Sequence, residues 1–205
     1  MDAMNKEAQS VITPEKALEL LKEGNKRFTS GNMLNHDLNK QISQTSGGQW
    51  PFAVVLGCID SRVPIELVFD QGVGDVFSAR VAGNFVNIDI LGSIEYGCKV
   101  AGSKLVVVLG HEGCGAVKGA CDDVQLGLIT PLLSNLKPAV NSVSESGDRS
   151  SANGDFVSKV VSKNVELTVE DIRLKSSLLK EMEEDGDIMI VGAVYDVGTG
   201  KVTWK

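Results

Sequence analysis

Two stretches of this chain are apolar without interruption, FAVVLG at 52–57 and LVVVLG at 105–110. A strand with one wet face alternates apolar and polar residues, so runs like these predict strands covered on both sides, as in a parallel sheet. Around them the spacing is helical. Thr13 followed by Pro14 and Glu15 is the pattern of an N-cap with proline in the first turn, and Ala17, Leu18, Leu20, Leu21 and Phe28 then recur at helical intervals as far as Gly31. Residues 32–49 are polar and rich in Ser, Asn, Gln and Gly, which predicts an arm or loop packed on the rest of the chain. A turn and helix are expected through PIELVFD, a strand near VFSARV and a helix over IDILGSIEYGCKV. A helix from Cys114 to about Gly119, helical or loop sequence to Asp155, and a charged helix around VEDIRLKSSLLKEMEED follow. IMIVGAVYD, GTG and KVTW read as a strand and a hairpin.

Short apolar strands alternating with helices give an α/β fold, a parallel-sheet core with crossover helices and an N-terminal helical arm. At 205 residues and 42% hydrophobic content the chain matches a single domain, with 1–50 as the arm and 51–205 as the core. A formal net charge of -7 with no basic stripe argues against nucleic acid and anionic membranes as partners. No stretch approaches the roughly 20 apolar residues of a membrane span, and the first residues lack the basic and apolar regions of a secretory signal. The expected setting is therefore cytoplasmic. Four cysteines, Cys58, Cys98, Cys114 and Cys121, are too few and too irregular for a disulfide framework, which leaves thiols free for metal.

Each apolar strand ends in glycine and runs straight into reactive residues: Cys58, Asp60 and Arg62 after the first, His111 and Cys114 of GHEGCG after the second. Ligands of open α/β sheets sit beyond the carboxyl ends of the strands, and neighbouring parallel strands would deliver both clusters to one crevice. The chain has two histidines, His36 and His111, and only the latter lies in such a cluster. Cys58, His111 and Cys114 form a soft N/S set suited to zinc, with a fourth position for water or a carboxylate, the arrangement of a catalytic rather than a closed site. On spacing alone, small buried cysteines explain the pattern equally well. Placement favours metal, because Cys114 precedes the helix GAVKGA, where free N–H groups favour a thiolate. Cys121 lies about 10 Å further along that helix and cannot share the site, and Cys98 falls in a helical apolar pattern. In an extended chain Asp60 and Arg62 would face the same side as Cys58, and a two-pronged pair would aim the carboxylate. No CxxC supports a thiol oxidoreductase, and GVGD and GTG are too short for a dinucleotide fingerprint.

With CIDSR and GHEGCG together, the sequence resembles the β-class carbonic anhydrases, zinc enzymes that interconvert carbon dioxide and bicarbonate. TPEKALELLKEGNKRF, GDVFSARVAGN, GSIEYGCKV, NVELTVEDIRLKSS and IVGAVYDVGTGKV follow in family order, so the likeness runs almost the whole chain. The resemblance implies one zinc per chain on Cys58, His111 and Cys114, with Asp60 and Arg62 beside the open position and a zinc-bound hydroxide as nucleophile. It also implies a closed state in which Asp60 becomes the fourth ligand, and a substrate pocket lined by Gln49, Phe77 and Tyr96, the last two reaching across a subunit boundary of a homodimer or higher homo-oligomer. Two departures stand out. Val55 occupies the position where some bacterial members use a tryptophan in a regulatory bicarbonate site, so that site is not expected. Val81 of RVAGN replaces a family asparagine. Hydrolysis of carbon disulfide or carbonyl sulfide on the same scaffold, and a non-catalytic zinc-stabilised binding protein, are the alternatives. Retention of Asp60 and Arg62 speaks against the latter.

Overall fold

The computed structural model describes residues 1–205. Its centre is a sheet of β1 (Ala53–Gly57), β2 (Val76–Arg80), β3 (Leu105–His111), β4 (Met189–Tyr195) and β5 (Val202–Trp204). The spatial order is β2-β1-β3-β4-β5. The first four strands are parallel, and β5 turns back antiparallel on β4. The α/β reading holds.

Both apolar runs are buried on both faces, and the period of two sorts their side chains. Val54, Leu56, Val106 and Val108 enter the larger core cluster, whereas Ala53, Val55, Leu105, Val107 and Leu109 enter the smaller one on the opposite side. Around the sheet lie α1 (Lys6–Ser10), α2 (Pro14–Ser30), α3 (Leu38–Thr45), α4 (Ile65–Val68), α5 (Ile88–Glu95), α6 (Gly115–Cys121), α7 (Ile129–Ser134), α8 (Lys137–Ser142), α9 (Gly154–Lys175) and α10 (Ser177–Glu184). Helix α9 covers β3 and β4, and α2 lies against β3. None of the helices is long and apolar enough to cross a membrane. The approach of α9 is close: a Cβ on Gly110 would stand 2.6 Å from Val165 Cγ2, so only glycine lets β3 run under the helix to His111.

Several elements differ from expectation. The predicted N-cap of α2 is present, with Thr13 accepting from Lys16 N–H. The polar stretch 32–49, however, contains α3, capped by Asp37 and pinned by the fully buried Gln41, which accepts from Val73 N–H and donates to Met1 O. Composition hid this helix because its one buried side chain is polar. The helix over 88–100 changes to a π-helical turn at Tyr96–Val100, and the charged helix is two, broken at Ser176, whose hydroxyl caps α10.

Candidate metal centre

Parallel register brings the two reactive clusters together. Gly57 pairs with Leu109, so Cys58, the first residue past β1, and His111, the last of β3, emerge side by side at the carboxyl edge. Cys114 lies three residues on, at the N-cap of α6. Cys58 Sγ, Cys114 Sγ and a ring nitrogen of His111 lie within 4.8 Å of one another, and all three residues are buried. Cys121 and Cys98 lie outside this group; Cys98 is buried among apolar side chains, which push its thiol up to about 12.

The donor set fits zinc. His111 Nδ1 lies 3.0 Å from the carbonyl oxygen of Glu112, which can only accept, so Nδ1 carries the proton and Nε2 presents a lone pair. Nε2 is buried and has no hydrogen-bond partner, a costly state for a polar atom unless something binds it. The two sulfurs are 3.9 Å apart, close to the separation of about 3.8 Å for tetrahedral thiolates around zinc. In the pair of thiols, the hydrogen bond from Cys114 pulls Cys58 down to about 4, helped by His111 and the Gly83 N–H against the cost of burial. Cys114 is driven up by that same contact and by burial.

Asp60 and Arg62 do pair, but through a turn and not an extended chain: Val63 N–H closes on Asp60 O. Arg62 Nε and Nη2 donate to Asp60 Oδ1 and Oδ2 at 2.9 and 2.8 Å, and Arg62 N–H adds a bond of 2.9 Å to Oδ1. These bonds hold the Asp60 carboxyl well below the usual carboxylate range. Its Oδ2 lies 3.8 Å from His111 Nε2. Arg80, at the end of β2, fastens this loop from the other side by donating to Cys58 O at 2.8 Å and Asp60 O at 2.7 Å. Sequence reasoning did not single out Arg80. The signal was its place at the carboxyl end of a third parallel strand, the same end as the other reactive residues.

The remaining predicted residues lie elsewhere. Phe77 and Tyr96 meet edge to face with ring centroids 6.3 Å apart. They line an open groove of about 750 Å³ along β2 and α5 that includes none of Cys58, His111 and Cys114. Gln49 is exposed on the segment entering β1. Val55 is fully buried on the α2 side of the sheet.

Residues 53–202 match the family model described as carbonic anhydrase. Carbonic anhydrase 2 of Mycobacterium tuberculosis is 36% identical over 196 residues, covering 94% of this chain and 93% of that protein. Among solved structures, a β-carbonic anhydrase of Aspergillus fumigatus superposes with a TM-score of 0.71 at 26% identity, covering 93% of this chain and 89% of the other. A structure from work on two tetrameric β-carbonic anhydrases of Sordaria macrospora gives 0.68 at 25% identity, with 80% and 84% covered. The sheet order, the clustered Cys58, His111 and Cys114, and these likenesses lead to one conclusion: the chain belongs to the β-class carbonic anhydrases.

Proposed function

We propose that this chain catalyses the reversible hydration of carbon dioxide to bicarbonate and a proton, with one zinc per chain held by Cys58 Sγ, His111 Nε2 and Cys114 Sγ. One observation carries the reading. A buried, unpartnered His111 Nε2 lies beside two thiol sulfurs and 3.8 Å from a carboxylate that Arg62 keeps ionised. A zinc ion held there supplies a Lewis acid that acidifies water.

The protein's own groups do the rest. Glu112 O fixes the tautomer and the plane of the His111 ring through the Nδ1 proton. Asp60 Oδ2 accepts a hydrogen bond from the attacking water and turns the oxygen's lone pair toward the carbon of carbon dioxide. Arg62, engaged by both carboxylate oxygens, keeps Asp60 charged and aimed. Arg80 holds the carbonyls of Cys58 and Asp60, so the thiol and the carboxylate keep their relative placement. In this arrangement Asp60 is committed to Arg62 rather than to the metal position. The proton left by hydration has no histidine relay, since His36 is bonded to Asp70 in the arm, and it leaves through water or buffer.

The working unit in this reading is a homodimer or a multiple of one. Phe77 and Tyr96, which are not part of their own chain's ligand cluster, line the partner's substrate pocket together with Gln49. The test is zinc content and stopped-flow carbon dioxide hydration on one sample, with carbonyl sulfide and carbon disulfide assayed beside them. One zinc per chain with hydration as the fastest reaction is the expected result. Faster turnover of either sulfur compound, or full zinc without hydration, would overturn it.

A further inference from the structure

The turn after β2 holds a second layer of the metal centre. Asn84 N–H closes it on Val81 O at 2.9 Å, and Gly83, at φ +83°, takes the position of a type II turn that needs positive φ. The Gly83 N–H stands outside that closing bond and donates to Cys58 Sγ at 3.4 Å. The Gly83 carbonyl accepts from Asn164 Nδ2 at 2.8 Å, and Asn164 is a buried amide on α9, 4% exposed. Glycine is favoured at 83, because the backbone conformation strains L side chains and a Cβ there would also press on Leu136 Cδ1 at 2.8 Å.

We propose that Gly83 and Asn164 are positioning residues of the metal centre: Asn164 locks the 81–84 turn so that the Gly83 N–H donates to Cys58 Sγ while that sulfur is a zinc ligand. The inference rests on the zinc reading above. Two thiolates and a neutral imidazole cancel the formal charge of zinc and weaken its pull on water. An N–H donor on one thiolate draws density away from the sulfur and returns part of that charge, besides fixing the sulfur's direction. Cys114 stands at the N-cap of α6, where the helix dipole favours a thiolate. Cys58 leaves a strand and has no helix behind it, and the Gly83 turn supplies the missing donor.

The experiment replaces zinc by cadmium-113 in the full chain and records the proton spectrum for scalar coupling to the metal, which passes through an N–H···S–Cd bridge. Coupling to the assigned Gly83 amide is expected in the wild type. It should vanish in Asn164→Ala and persist in Thr168→Val, a control at a buried α9 position. In the zinc form, Asn164→Ala should release metal to a competing chelator roughly tenfold more readily. Cadmium bound by the wild type with no coupling at Gly83 overturns the proposal, as does an Asn164→Ala protein whose coupling and metal retention are unchanged. Should Asn164→Ala not fold, the wild-type spectrum decides alone. A wild type that binds neither metal removes the zinc reading itself, a result distinct from bound metal without coupling.

Discussion

Asp60 Oδ2 lies 3.8 Å from His111 Nε2, while both oxygens of the same carboxylate are gripped by Arg62. The carboxylate is therefore held by Arg62 while standing close to His111 Nε2, a buried ring nitrogen that has no hydrogen-bond partner within the protein.

The ligand assignment predicts that Cys58→Ser, His111→Ala and Cys114→Ser each lose zinc and hydration activity together, since a three-ligand site does not survive as a two-ligand one. Cys98→Ser and Cys121→Ser should keep one zinc per chain, because neither sulfur belongs to the cluster. Metal analysis after dialysis, paired with stopped-flow rates, checks both sets. Full zinc and full rate in any ligand variant would refute the assignment.

The dyad predicts a different pattern. Asp60→Asn leaves all three ligands in place and should retain zinc, yet lower kcat by about 10²-fold through lost orientation of the attacking water; Arg62→Ala should act similarly. The pairing holds the Asp60 pKa below the ordinary carboxylate range, so Asp60 stays ionised throughout pH 6–9. The midpoint of the wild-type pH-rate profile in that window thus does not belong to Asp60. Asp60→Asn should lower the rate across this whole window; a normal rate in this variant would exclude the role.

Much of this centre was legible in the sequence because it follows directly on the two uninterrupted apolar runs. FAVVLG and LVVVLG read as doubly buried strands, and their shared direction placed Cys58 beside His111. The connection of Asp60 to Arg62 was legible as a pair but not as a turn, since spacing of two suits either. What remained hidden lay in polar residues whose partners are far along the chain. Gln41 turns a polar stretch into a helix by bonding Val73, Arg80 reaches back 22 residues to Cys58 O, and Asn164 reaches 81 residues to Gly83 O. No local pattern encodes such bonds. Val81 of RVAGN, which had no account from sequence, now has a structural place: its carbonyl closes the turn that carries Gly83.

A buried charge away from the metal gives a stability prediction. Asp70 is 1% exposed and gathers Arg27, the Leu34 N–H and His36, tying α2 and the 32–37 segment to the core. Burial raises its pKa, but these partners outweigh burial and leave it lowered. A folded pKa below the unfolded value of about 3.9 means the stabilisation is present above pH 4 and is lost as pH falls through the folded value. Asp70→Asn tolerates the residue's φ of +48° and so isolates the charge. It should be less stable than the wild type at pH 7, and by a smaller margin at pH 3, read from urea midpoints. An equal loss at both pH values would show that the charge is not what matters.

The last prediction concerns the groove lined by Phe77 and Tyr96. If these rings complete the partner's pocket, Tyr96→Ala should keep its zinc while losing activity, as Asp60→Asn does, although Tyr96 is not part of its own chain's ligand cluster. Mixing the two inactive chains then makes a sharp demand. In a heterodimer, one site contains Asn at 60 together with the partner's Ala at 96 and is doubly damaged. The other site contains Asp60 from the Tyr96→Ala chain and Tyr96 from the Asp60→Asn chain, and so carries no substitution at all. Random exchange of subunits from equal amounts leaves half of all dimers mixed, each with one intact site of two, so about a quarter of wild-type activity per chain should return. Activity that stays at the average of the two separate variants, in a sample shown by mass spectrometry to contain the mixed dimer, would mean that Tyr96 acts within its own chain. A species sedimenting only at the 21.8 kDa of one chain with full activity would remove the shared pocket altogether.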